Sequence, residues 1–201
     1  MAGTLLLSLT ADGGRQPGGH LDVRTSGGLI VVAEPKTHPW AASFGAYYLC
    51  STRGQDLRIQ SVRYEASLRP LNVSFQLRNI ESSAASIASA RGAPPDFIDP
   101  DRRTRTPRPG TYEPLKPGRR ITQTCANVAE GGNGFTELLF VVTAGEQGAV
   151  INRAWIDYTV DGIEARRFTL GLHWKMVLCG NRVPDSDSRS SCEPPAAPHG
   201  S

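Results

Sequence analysis

Nucleophilic catalysis by serine needs a hydroxyl, an imidazole and an orienting carboxylate held together. The four histidines of the chain, His20, His38, His173 and His199, are therefore the first places to look for chemistry. Only His173 lies in a segment with a confident strand pattern, between Gly171 and Lys175, and no Gly-x-Ser-x-Gly elbow accompanies it. It reads as a surface or sheet-edge histidine. Asp96, Asp99 and Asp101 are spaced like the opening of a calcium loop, but the glycine and glutamate that such a loop needs further on are missing, and prolines interrupt the spacing. Cys50, Cys125, Cys179 and Cys192 contain no Cys-x-x-Cys pair of the kind that zinc ribbons and thioredoxin-like sites use. Gly131, Gly132 and Gly134 precede a strand pattern rather than a helix, so they read as a turn and not as a phosphate cradle. The expectation is a protein that performs no catalysis and holds no metal or other cofactor, with a hydrolase bearing an unrecognised site as the alternative.

Two features could bind a partner. Arg102, Arg103, Arg105, Arg108, Lys116, Arg119 and Arg120 are opposed over residues 102–120 by Glu113 alone, in a chain whose net charge is only +3. That net charge does not argue for nucleic acid. A mobile loop carrying these arginines suits an anionic cell-envelope polymer, lipid head groups or an acidic protein surface. The second feature is Trp155, whose parity is opposite to that of Ile156 and Tyr158; it is the indole available to stack on a ligand, whereas Trp174 falls on an apolar strand face.

The elements that must position these residues are strands. Period-two alternation runs through the chain, and no stripe of apolar residues at helical spacing is long enough to pack, the one short helix candidate being Glu81–Ala90. Strands are expected over 28–33, 45–51, 57–67, 71–77, 121–127, 135–143, 154–160 and 168–179. In the third, Leu57 and Ile59 have one parity and Val62, Tyr64 and Ala66 the other, so burying both sets requires a bulge near Gln60 or Ser61. Glu130–Gly134 is expected to close a hairpin between 121–127 and 135–143. The final strand carries six apolar residues on one face, from Phe168 to Leu178. To keep that register, the connection after Asp161-Gly162 must be longer than two residues or carry a bulge near 165–167.

Three segments lack this pattern: 1–27, 81–118 with its seven prolines, and 180–201. They explain why only 39% of the 201 residues are hydrophobic, against about 45–50% in ordinary globular chains. Residues 28–179 are expected to form one all-β domain, an immunoglobulin-like antiparallel β-sandwich with a long Pro/Arg-rich insertion at 81–118. The flanks are a flexible N-terminal segment, read either as the remnant of a signal or anchor sequence or as a frayed end, and a flexible C-terminal tail. The longest apolar runs, 28–33 and 138–142, are far shorter than the roughly 20 residues of a membrane-spanning helix.

Cys50 before Leu57-Arg-Ile-Gln-Ser-Val-Arg-Tyr64, then Arg69-Pro-Leu-Asn-Val73, Gly118-Arg-Arg-Ile-Thr-Gln-Thr-Cys125, and Tyr158-Thr-Val-Asp-Gly162 before Leu178-Cys179 resemble uncharacterised secreted or membrane-anchored proteins of high-GC Gram-positive bacteria. The resemblance implies an immunoglobulin-like sandwich outside the cytoplasm and no particular activity. An even number of scattered cysteines fits disulfides and such a compartment. By analogy with sandwiches whose first and last strands lie side by side, Cys50 is expected to pair with Cys179 and Cys125 with Cys192. Cys50–Cys125 with Cys179–Cys192 is the rival. The function expected is an interaction module outside the cell or at its surface, binding a protein or an anionic envelope component, the alternative to both module and enzyme being a purely structural surface domain.

Overall fold

The computed structural model describes residues 19–23, 28–32, 38–81, 87–98, 105–128, 134–163, 166–184, 186 and 192. The fourteen regular elements that these residues form are all strands. Long strands arise where the alternation is cleanest: β3 (Trp40–Ser51), β4 (Leu57–Leu68), β5 (Asn72–Ile80), β11 (Phe135–Ala144) and β12 (Ala149–Val160). The final apolar stripe divides at His173 into β13 (Arg167–Leu172) and β14 (Trp174–Leu178). Shorter strands complete two sheets: β1 (Leu21–Val23), β2 (Gly28–Val32), β6 (Ser89–Ala93), β7 (Asp96–Ile98), β8 (Arg105–Pro107), β9 (Thr111–Pro114) and β10 (Arg119–Ile121).

The first sheet has the order β8-β7-β6-β3-β11-β5-β9, with β1 on the end of β3. The second has the order β10-β4-β12-β14-β2, with β13 beside β12. Every pairing is antiparallel except that of β2 with β14. The sheets share one core, in which Phe44, Tyr47, Leu77, Leu138 and Phe140 meet Leu57, Ile59, Ile156, Leu172 and Met176. The expected bulge is present: Ile59 pairs with Tyr158 and Ser61 with Asp157, so Gln60 is the extra residue, and Val62 and Ala66 pack on the same core as Leu57 and Ile59, whereas Tyr64 stays 40% exposed. The six alternate residues from Phe168 to Leu178 all belong to or pack on this core. Thr159 pairs with Arg167, so the connection after Asp161-Gly162 is the longer loop and not a two-residue turn.

The outer face of the first sheet is not solvent. Four residue steps separate Pro107 at the end of β8 from Thr111 at the start of β9, a reach of at most ~14 Å, yet these strands are the two ends of a seven-strand series that would span roughly 29 Å if flat. The sheet must curl over its own outer face. Inside the curl lies a second small core of Ile87, Phe97 and Leu139 with Ala90 and Tyr112, the rings of Phe97 and Tyr112 being 5.9 Å apart. Beside it are Arg78 and Glu137, register partners on β5 and β11, joined Nη1 to Oε2 at 2.9 Å with no exposed side-chain surface to speak of. Glu137 Oε1 accepts from the backbone N–H of Ala46 at 2.6 Å and of Ile87 at 3.0 Å, while Arg78 Nε donates to the carbonyl of Pro109 at 2.8 Å. One ion pair thus holds a bend in β3, the chain leading to β6 and the chain leading to β9. The bend requires a glycine: a Cβ on Gly45 would stand 2.4 Å from the Ile87 carbonyl and 2.8 Å from Glu137 Oε1, and the next residue, Ala46, takes a φ of 64°.

Four expectations are corrected. The described parts of 81–118 are not an unstructured insertion: they build β6, β7, β8 and β9, because their few apolar residues find a second core and their backbone finds sheet edges. Residues 89–90 of the helix candidate are in β6, and Ser82–Ser86 lie outside the described residues. Segments 121–127 and 135–143 do not form a hairpin: of the expected strand 121–127 only Ile121 is in a strand, at the end of β10, which joins β4 in the second sheet, whereas β11 joins β3 and β5 in the first. The disulfides are Cys50–Cys125 and Cys179–Cys192, not Cys50–Cys179 and Cys125–Cys192. A parallel edge pair with the last strand exists, but the partner of β14 is β2; Cys50, on β3, is in the opposite sheet from β14. Residues 123–125 instead run along the end of β3, with Ser51 bridged to Thr124 and the Cys125 N–H bonded to the Ser51 carbonyl at 3.0 Å.

Glu137→Ala, which leaves Arg78 buried without its carboxylate, is expected to lower stability by about 3–5 kcal/mol. The apolar double replacement Arg78→Met/Glu137→Leu is expected to restore most of that loss, both read from urea unfolding of the oxidised protein.

Candidate functional site

The second sheet also has an outer face, and one end of it is covered by the C-terminal segment. Val183 and Cys192 pack there on Val150, Val177 and Leu68, tied down by the Cys179–Cys192 disulfide. The other end carries side chains that strand alternation must turn outward: Arg58, Ser61 and Arg63 on β4, Trp155, Asp157 and Thr159 on β12, Arg167, Thr169 and Gly171 on β13. Register fixes their neighbours across the strands. Trp155 lies between Arg63 and Gly171, Asp157 between Ser61 and Thr169, Thr159 between Arg58 and Arg167.

Asp157 is the anchor of this face, with its side chain only 8% exposed. Its two oxygens accept four hydrogen bonds: from Arg63 Nε at 2.7 Å and Nη2 at 3.0 Å, from Ser61 Oγ at 2.9 Å and from Thr169 Oγ1 at 2.7 Å. The Arg63 guanidinium, with help from the two hydroxyls, holds the carboxyl well below the usual carboxylate range against the opposing effect of burial. The same bond raises the Arg63 pKa. Arg63 is thereby fixed with its Cζ 5.6 Å from the centre of the Trp155 ring, while 55% of its side chain remains exposed and Nη1 makes no hydrogen bond to a described residue. Arg58 repeats the device, presenting Nε and Nη2 to Asp161 at 2.7 and 3.0 Å. His173, at the break between β13 and β14, is exposed. A Cβ on Gly171 would lie 3.6 Å from His173 Nε2 and 3.9 Å from Trp155 Cδ1, so the glycine forms a floor bordered by both rings.

The arginines singled out in the sequence are dispersed by the fold. Arg119 and Arg120 are on β10 at the edge of the second sheet; Arg119 Nη2 meets Glu113 at 2.6 Å, joining β10 to β9 of the first sheet, and Arg120 meets the carboxylate of Asp56. Arg108 is exposed in the connection between β8 and β9, its carbonyl accepting from the Tyr112 hydroxyl at 3.0 Å. The backbone of Arg105 is in β8, and Arg102 and Arg103 lie outside the described residues, as do Asp99 and Asp101. Among the histidines, His20 is buried, with Nδ1 2.6 Å from Gln55 Oε1 and its ring against Phe168, and not in the flexible segment expected for 1–27; His199 is outside the described residues. Among the described residues there is no group of three or more His, Cys, Asp or Glu placed to hold a metal ion. Trp155 was recognisable from its parity. Arg63 and Asp157 were not, although Ser61, Arg63, Asp157 and Thr169 all have the outward parity once the Gln60 bulge is allowed for.

The chain matches no protein-family model, no curated protein and no solved structure.

Asp157→Asn is expected to cost about 1.5–3 kcal/mol, the range for hydrogen bonds to a charged group. Because the folded-state pKa of Asp157 lies below its unfolded value near 3.9, the carboxylate's contribution is complete above that pH and is lost as pH falls toward the folded value. The stability difference between native protein and variant is therefore expected to stay constant from pH 7 to 5 and to shrink below about pH 4, as measured by denaturant unfolding across that range.

Proposed function

We propose that this chain is an extracytoplasmic binding module of immunoglobulin-like type that performs no chemistry and holds its partner on the open outer face of the second sheet. The observation that carries the proposal is the contrast between the two outer faces. That of the first sheet is filled by the chain's own β6–β9 and a buried ion pair, whereas the second sheet offers arginines fixed by aspartates, with Nη1 groups that make no hydrogen bond to a described residue. Fixing a guanidinium beforehand lowers the ordering cost of binding, which is what a recognition surface needs and a merely solvated face does not. The two disulfides support an oxidising location, at the cell surface or secreted, and the parallel pairing of β2 with β14 at a sheet edge supports the immunoglobulin-like comparison. The partner is an envelope component or a surface protein, with the arginines of 102–120 adding salt-sensitive attraction where it is anionic.

Immobilised oxidised protein is expected to retain material from a solubilised envelope fraction of a high-GC Gram-positive bacterium, and Arg58→Glu/Arg63→Glu to lose at least tenfold of that retention. Neutralising Arg102, Arg103, Arg105 and Arg108 is expected to lower retention at 50 mM salt but not at 500 mM. Equal retention by all forms, or turnover in an esterase, peptidase or glycosidase panel, rejects the proposal.

A further inference from the structure

Resting on that binding face, the geometry points to its ligand class: we infer that Trp155, Arg63, Gly171 and His173 form a subsite for one ring of an uncharged saccharide. Four observations converge on it. The Trp155 indole stands outward on the sheet, half-buried, and the residue beside it on β13 is a glycine, so the side chain that borders the indole on that flank is the His173 imidazole. Aromatic faces carry partial negative charge, which attracts the polarised C–H groups on the flat side of a pyranose ring. Hydrogen-bond donors suited to ring hydroxyls stand around the indole. Arg63 Nη1 and Trp155 Nε1 make no hydrogen bond to a described residue, and His173 is exposed and able to donate or accept.

Charge selects among ligands that could use such a surface. Asp157 lies within 3.0 Å of both Arg63 nitrogens that face it, so the guanidinium next to the indole is already compensated. A phosphate or carboxylate drawn to Arg63 meets Asp157 directly behind it, whereas a hydroxyl gains the hydrogen bond without that repulsion. A clamped guanidinium over an indole therefore fits a neutral polyol better than a polyanion. The floor is adjustable without damage to the fold. Gly171 does not have the left-handed backbone that would exclude a side chain, and a Cβ there makes only ordinary contacts at 3.6–3.9 Å. Substitution at Gly171 fills the subsite and leaves the backbone alone.

The test titrates the intact oxidised protein with cellotriose and with fully acetylated chitotriose, followed by saturation-transfer NMR and tryptophan fluorescence. Saturable binding of at least one is expected, changing less than twofold between 50 and 500 mM NaCl. Trp155→Ala and Gly171→Val are each expected to weaken it at least tenfold, the second with an unchanged melting curve, which separates loss of the subsite from loss of the fold. Absence of saturable binding to both sugars, or binding that survives both substitutions, overturns the inference. If polyphosphate binds instead, with steep salt dependence and sensitivity to Arg58→Glu/Arg63→Glu, the saccharide subsite is rejected while the binding-module proposal stands. If sugars, polyphosphate and the envelope fraction all fail, both are rejected.

Discussion

The Arg78–Glu137 pair decides which surface of this molecule is inside. Two register partners on the central strands of the first sheet project away from the main core, and by position alone they belong in solvent. They are instead fully enclosed, because Glu137 accepts from Ala46 and Ile87 and Arg78 donates to Pro109, so that every neighbouring stretch of chain is drawn over them. Removing two charges from water costs several kcal/mol each, and such pairs seldom stabilise more than apolar residues of equal volume would. What this pair contributes is position. It fixes where 87–98 and 105–112 lie on the sheet, and their few apolar side chains, Ile87, Phe97 and Tyr112, are too few to fix them alone.

The molecule uses the same chemistry to opposite effect on its other face. Glu137 has a raised pKa because burial outweighs the donors around it, whereas Asp157 has a lowered one because Arg63 and two hydroxyls outweigh its burial. The difference follows from the partner: Arg78 is as buried as Glu137, while more than half of Arg63 stays in water. A carboxylate sealed with its cation organises the chain around it. A carboxylate buried beneath an exposed cation turns a mobile side chain into a fixed part of the surface, and in this protein the fixed part is an arginine lying over an indole.

What was legible in the sequence was local parity. The inward and outward sets of β4, the bulge at Gln60, the six core residues from Phe168 to Leu178 and the outward direction of Trp155 all follow from residues two apart sharing a face. What was not legible was partnership. The neighbour of a strand depends on the whole topology, which is why Ile121 pairs with β4 in the second sheet and 123–125 run along the end of β3, while 135–143, beyond the glycines, pairs with β3 and β5 in the first. The low apolar content of 81–118 was a fair sign of a stretch unable to fold alone, but its described parts fold on a surface prepared by Arg78 and Glu137, and nothing local to those two residues announces that. The arginine cluster failed as a cluster for a related reason: Arg119 is paired with Glu113, the one carboxylate of the same stretch, and Arg120 with Asp56, a neighbour only in space.

The disulfides stand where strand pairing is weakest at joining the layers. Cys50–Cys125 links the end of β3 in the first sheet to the chain leaving β10 in the second, and the Tyr158 hydroxyl of the second sheet accepts from the backbone N–H groups of His20 and Leu21 on the same side. In the chain-entropy account a loop of this length restricts the unfolded chain by about 4 kcal/mol. Its structural consequence is more specific, because β10 is a strand of three residues at the edge of the second sheet and carries Arg120 at the rim of the open face. Held by three residues of pairing, such an edge would fray; covalently tied to β3, it stays in register with Arg58 beside it. The second bridge, Cys179–Cys192, closes the other end of the same face by pressing the C-terminal segment onto Val150 and Val177. Both covalent links therefore bound one surface, that of Trp155, Arg63 and Asp157, and rigidity at its margins is what keeps the positioned guanidinium and indole worth having.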